Sequence, residues 1–181
     1  MYENKIITEP KWKSWIVQTT TPLFTPDQCN QIIASGRAQK PQTAQVGMNK
    51  PGGGTDTKKR VTTISWIPFQ EMGHMYQDLN SFIQKANENH FGFGDIQVTE
   101  NAQFTEYPEG GFYDWHMDCD VNMEHEPPVR KISMTVLLND PSEFEGGHLE
   151  LMAPGKFAEL KQGHAIIFAS FLNHRVNPVT R

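Results

Sequence analysis

The chain has 181 residues, 37% hydrophobic and 20% charged, with 14 glycines and 12 prolines, which suits one soluble domain with its own core and many turns. Its net charge of −5 speaks against a nucleic-acid backbone as the main partner, because phosphate binding draws on a surplus of Lys and Arg. Cys29 and Cys119 are the only two cysteines, too few for a disulfide framework, and they read as reduced thiols of a cytoplasmic protein. No run approaches the ~20 apolar residues of a membrane span, and the first fifteen residues lack the apolar centre of a signal peptide.

In chain order, the first predicted element is a helix at about 25–38. Thr25 suits the N-cap, Pro26 the first helical position, and Gln28 completes a capping box. Cys29, Ile32 and Ile33 share a face, and Gly36 weakens the end. Residues 40–60 read as a loop around Pro51, Gly52, Gly53 and Gly54, either a cover for a site or a solvated hairpin tip. It lacks the Gly-Lys-Ser/Thr ending of a phosphate-binding loop. A strand is expected at 61–68, and a second amphipathic helix at 70–90, with Met72, Met75, Tyr76, Leu79, Phe82, Ile83 and Ala86 at helical spacing. Beyond Gly92-Phe93-Gly94 the period drops to two. Strands are expected at 96–107, 112–118, 130–139, 148–152, 157–161 and 164–169. Two helices followed by a run of strands predict an α+β, mainly β chain: helices packed on an antiparallel β-sandwich or jelly roll rather than a parallel sheet.

The chemistry concentrates around Phe112-Tyr113-Asp114-Trp115-His116-Met117-Asp118. Residues two apart on a strand share a face, so His116 and Asp118 are placed to grip one ion. Two histidines and a carboxylate on one face of a metal leave positions open for substrate and oxygen, the arrangement of non-haem iron(II) oxygenases. The spacing alone does not choose, because His148 and Glu150 share it. The glycines and aromatics before His116, and the polar loop 119–126 after it, favour the first pair. His148 and Glu150 read as the solvent-facing side of a regular strand. His174, behind the buried-looking run Ala165-Ile166-Ile167-Phe168-Ala169, is the third candidate, since a jelly roll brings distant strands together. His74, His90, His125 and His164 read as surface or helix residues.

Several motifs in order are similar to small prolyl-hydroxylase-like 2-oxoglutarate oxygenases, with the PKHD-type hydroxylases as the nearest subgroup. They are residues 103–107, 112–118, 130–133, 138–141, 145–151 and the closing His174-Arg175-Val176-Asn177-Pro178-Val179-Thr180-Arg181. The resemblance implies a double-stranded β-helix (jelly roll, cupin-like) with two supporting N-terminal helices. It further implies Fe(II) on His116, Asp118 and His174, and 2-oxoglutarate as cosubstrate beside Tyr107, Leu137 and Leu149, with ascorbate an optional accessory. As plain residues, Tyr107 equally caps a turn and the two leucines equally belong to a core. The implied reaction consumes O2, hydroxylates an unactivated C–H bond of a protein or peptide residue such as proline, and releases succinate and CO2. The family's basic anchor for the cosubstrate falls beyond Arg181, so a single domain over 1–181 is expected to lack its last core strand. Arg181 bending inward as a substitute, and a loss of cosubstrate binding, are the two alternatives. Competing functions are a jelly-roll metal-binding or interaction module without oxygenase activity, and nucleic-acid demethylation by the same chemistry, which the acidic balance opposes.

Overall fold

The computed structural model describes residues 14–44, 56–119, 129–153, 155 and 158–181. The expected loop around Gly52 and most of the polar loop after Asp118, including His125, lie outside them. Among the described residues, ten strands and two α-helices run in the order β1 (Ile16–Gln18), α1 (Pro26–Ala38), β2 (Gln42–Thr43), β3 (Arg60–Val61), β4 (Thr63–Ile67), α2 (Gly73–Ala86), β5 (Ala102–Glu106), β6 (Phe112–His116), β7 (Ile132–Val136), β8 (Leu149–Leu151), β9 (Ala165–Ala169) and β10 (His174–Val176). Every pairing is antiparallel, in three sheets ordered β1-β9-β7, β3-β6-β10-β8 and β2-β4-β5. No helix among the described residues is long and apolar enough to cross a membrane.

Helix α1 starts where its capping chemistry places it. The Thr25 hydroxyl accepts from the Gln28 N–H, and the Gln28 side chain accepts from the Thr25 N–H in return, which satisfies two N–H groups a helix start otherwise leaves open. Gly36 does more than weaken the end. A Cβ there would lie 2.2 Å from the Phe104 ring, so glycine lets the helix settle onto β5. Helix α2 keeps the expected buried face of Met75, Tyr76, Leu79 and Ala86. It closes through one π-helical turn, Asn87–Phe91, and the left-handed Gly92. Tyr76 ties this helix to the sheet end, its hydroxyl donating to the Ile67 carbonyl and accepting from the Ala102 N–H.

Two apolar clusters hold the layers together. One joins Phe24, Cys29, Ile32, Ile67, Met75, Tyr76, Leu79 and Phe104, seating both helices on β4 and β5. The other joins Leu149, Leu151, Ile166, Ile167, Phe168, Ala169 and Leu172 to the end of α2, so β8 and β9, from different sheets, face one core. All five residues of β9 are buried, as expected of a strand covered on both faces. Each large apolar side chain enclosed this way contributes roughly 2 kcal/mol.

Several expectations need correction. The helices do not both precede the strands, because β1, β2, β3 and β4 all come before α2. The predicted strand at 61–68 is split. Thr62 leaves the ladder and donates its hydroxyl to the Glu106 carbonyl at 2.6 Å, so β3 pairs with β6 while β4 pairs with β5. Residues 158–161 form no strand. The strand holding Glu150 is fully buried rather than half-solvated: Glu150 is 2% exposed and is held by the Arg175 guanidinium and the Gly155 N–H. His148 alone faces outward. His90, by contrast, is a helix residue as expected, half-buried in the π-helical turn with its Nδ1 enclosed and without a hydrogen-bond partner.

Candidate metal centre

His116, the last residue of β6, lies directly opposite His174, the first of β10. One step further the register slips: Val176 on β10 faces Tyr113 on β6, so two steps along one strand match three along the other. That bulge at 114–115 re-aims the strand just before the site. In an unbroken strand Tyr113 and His116 would point to opposite faces. Here their rings stack, centroids 3.5 Å apart and planes 15° from parallel.

Asp118 does not share the strand with His116, as period-two reasoning supposes. It stands just past the end of β6 in a bend. Its N–H and that of Cys119 both donate to the Ser170 carbonyl, at 3.0 and 3.1 Å. The turn, not the pleat, delivers the carboxylate. His116 Nε2 is 3.7 Å from Asp118 Oδ1 and His174 Nε2 is 3.7 Å from Asp118 Oδ2, and one ligand atom from each of the three residues lies within 4.8 Å of the others. His148 and Glu150 are not part of any such group among the described residues.

The far sides of both imidazoles are tied down. His116 Nδ1 is 2.8 Å from the Asp114 carbonyl and His174 Nδ1 is 2.9 Å from the Leu172 carbonyl. A carbonyl only accepts, so each Nδ1 carries the proton and each Nε2 presents its lone pair to the centre. Burial first, then the neighbouring His174, lowers the His116 pKa to about 4, which keeps this ring neutral and ready to coordinate at physiological pH. The carboxylate is steadied too. Ser133, opposite Phe168 in the β7–β9 register, donates its hydroxyl to Asp118 Oδ2 at 2.6 Å and meets the Ser170 hydroxyl at 2.9 Å. Two imidazole nitrogens and one carboxylate oxygen within reach of one another are a donor set that fits a divalent iron.

Around this centre stand two arginines. Arg130 pairs with Glu100 and lies 4.0 Å from Asp118. Arg60, on β3 opposite Tyr113, places its guanidinium carbon 4.3 Å from the Tyr113 ring centroid. Tyr107 sits beside Arg60, and burial pushes its phenol up to about 12 despite that cation. Leu137 lies just past β7, half-buried, with its N–H donating to the His164 carbonyl, whereas Leu149 belongs to the core around β9. Arg181 does not turn inward: it is exposed and pairs with Glu145 at 2.7 Å. Sequence reasoning missed Arg60, Tyr113, Ser133 and Ser170 as parts of the site. Only the repeated aromatic and glycine residues before His116 hinted at Tyr113.

The model of the 2OG-Fe(II) oxygenase superfamily matches residues 102–181, the stretch that carries all three centre residues. A prolyl-4-hydroxylase from Pseudomonas putida superposes with a TM-score of 0.69 at 19% identity, over 93% of this chain and 88% of that one. A Trichoplax adhaerens prolyl hydroxylase, solved in complex with a hypoxia inducible factor peptide fragment, gives 0.66 at 17%, over 93% and 79%. At these identities the likeness is one of fold, and the fold is the jelly roll of those proteins. Against the PKHD-type hydroxylase of Acidovorax ebreus, 33% identical over 84 residues, the match spans 44% of this chain and only 37% of the relative. The PKHD-type hydroxylase of Colwellia psychrerythraea is 43% identical over 161 residues, 86% of this chain and 70% of the relative. Identity at that level, over more than two thirds of the relative, shows that the chain belongs to the PKHD-type hydroxylase family.

Proposed function

We propose that this chain is an Fe(II)- and 2-oxoglutarate-dependent dioxygenase that hydroxylates an unactivated C–H bond, with release of succinate and CO2. The observation that carries the reading is the convergence of two Nε2 lone pairs and one carboxylate, each fixed from behind by a carbonyl or a serine hydroxyl. His116, Asp118 and His174 would hold the iron, which supplies the oxygen chemistry that no side chain provides. The chain's own residues orient and dry the site. The Asp114 and Leu172 carbonyls fix the two imidazoles, Ser133 aims the carboxylate, the Tyr113 ring stacks on His116 at a centroid distance of 3.5 Å, and the Phe168 ring meets His174 in a T-shaped contact at 4.7 Å. Tyr107, Leu137 and Leu149 are taken as the cosubstrate's neighbours. A peptide residue such as proline is the substrate class of choice, supported by the Trichoplax neighbour solved with a peptide. Two cysteines, Cys29 and Cys119, are too few for a disulfide framework, and a reducing, cytoplasmic setting is part of this reading.

The test is succinate formation from 2-oxoglutarate with Fe(II), compared with His116→Ala and Asp118→Ala. Both substitutions are expected to abolish turnover and to weaken metal binding by more than a hundredfold. Turnover surviving either change would refute the assignment. Metal binding without any succinate would make the chain a jelly-roll metal-binding module instead.

A further inference from the structure

Glu150 is 2% exposed, an acidic side chain enclosed on a strand that gives the metal centre no ligand. It lies on β8 opposite Arg175 of β10. Its carboxylate accepts from the Arg175 guanidinium and from the Gly155 N–H, with the Asn177 side chain within hydrogen-bonding reach as well. The Arg175 guanidinium carbon in turn lies 4.9 Å from the centroid of the Trp115 ring on β6. A row of three side chains therefore crosses β8, β10 and β6. Enclosing an ion pair adds little stability by itself, since desolvation offsets most of the attraction, so stability alone does not account for the row.

Its position does. Arg175 follows His174, Trp115 precedes His116, and the two histidines are register partners. Successive residues on a strand point to opposite faces, so Arg175 turns away from the metal and Trp115 meets it there. Between the same two strands lies the bulge at 114–115, whose extra residue the ladder leaves unpaired. The bulge brings the Asp114 carbonyl to His116 Nδ1 and the Tyr113 ring onto the His116 face, which braces it on the metal side. On the far side the brace is Trp115 against a guanidinium that Glu150 holds in place. We propose that Glu150, Arg175 and Trp115 are positioning residues, a row that locks the β6–β10 bulge and so aims His116 at the point it shares with Asp118 and His174. Arginine suits the middle of the row, because a planar guanidinium bonds a carboxylate through its edge while its face packs on an aromatic ring. The inference rests on the metal-centre reading given above.

The experiment titrates Co(II) into the full chain and reads both the affinity and the visible absorption bands, which report ligand geometry, with urea unfolding of the metal-free protein alongside. Replacing the pair together, Glu150→Leu with Arg175→Met, removes both charges without stranding either, so the unfolding midpoint is expected to stay near that of wild type. Co(II) binding is expected to weaken roughly tenfold, with the bands shifted. Trp115→Leu is expected to do the same, whereas Trp115→Phe, which keeps an aromatic face for the guanidinium, retains wild-type binding and bands. A merely structural role predicts the reverse, a lowered midpoint with the bands unchanged. Binding within about twofold of wild type and unshifted bands, in either the paired variant or Trp115→Leu, overturn the proposal. If the paired variant does not fold, Trp115→Leu, which trims a half-buried side chain, decides alone. Wild type that binds no Co(II), or binds it equally well after His116→Ala, refutes the metal-centre reading itself, a result distinct from a row that can be removed without effect.

Discussion

Ser133→Ala isolates the support of the centre carboxylate from the carboxylate itself. The Ser133 hydroxyl donates to Asp118 Oδ2 at 2.6 Å, and Ser133 is 8% exposed, so removing the hydroxyl leaves a small apolar gap behind an anionic oxygen. A hydrogen bond to a charged group contributes about 1.5–3 kcal/mol net. The Asp118 side chain is 25% exposed, so water replaces part of the lost bond and the lower end applies, about 1.5 kcal/mol. That corresponds to roughly tenfold weaker metal binding. Ser170→Ala is the control. Among the described residues its hydroxyl reaches only Ser133, at 2.9 Å, while its carbonyl, which holds the Asp118 and Cys119 N–H groups, is unaffected by the substitution. Less than threefold loss is expected there. Competition titration with Co(II) and a chromophoric chelator reads both values. Ser133→Ala binding within twofold of wild type, or Ser170→Ala weakening binding as much as Ser133→Ala, would refute the reasoning.

Three further outcomes follow from the geometry. His116 has its pKa lowered to about 4 from an ordinary 6.5, by burial and then by His174. The unfolded chain therefore binds this proton first. The metal-free protein keeps its full stability above pH 6.5, loses up to about 3 kcal/mol through this group as the pH falls to 4, and loses no more below that. Urea unfolding of metal-free wild type against His116→Gln measures the difference, and equal pH slopes for the two would contradict it. Gly36→Ala, which in an exposed helix would gain about 1 kcal/mol, is expected instead to destabilise by about 2 kcal/mol, because its Cβ would lie 2.2 Å from the Phe104 ring in a closed core. The same substitution made in Phe104→Leu should cost measurably less. Tyr76→Phe leaves the Ile67 carbonyl and the Ala102 N–H without their shared hydroxyl, and a loss of about 2 kcal/mol is expected in thermal or denaturant unfolding, with the metal affinity unchanged.

Much of this protein was legible from residues that are neighbours in the chain. The capping box at Thr25 and Gln28, the buried face of α2, the unbroken apolar run of β9 and the three candidates His116, Asp118 and His174 all rest on local chemistry or on periods of 3.6 and 2. The resemblance in ordered motifs extended that to a jelly roll. What only the tertiary structure decided depends on which strand lies against which. Thr62 divides one predicted strand between two sheets, and no local pattern marks the break. The slip between β6 and β10 turns Tyr113 onto the face of His116, reversing what simple alternation implies, because a bulge belongs to a pair of strands and not to either alone. Asp118 reaches the centre through a turn pinned by Ser170, far along the chain. Glu150 looked solvent-facing by its charge, yet it is enclosed, because the Arg175 that neutralises it stands on a strand that pairs with its own only in the folded sheet. Arg60 is the same lesson with the opposite outcome: its burial follows from packing against Tyr113 and Gln103, and nothing in the sequence near it announces that a positive charge is enclosed beside the centre.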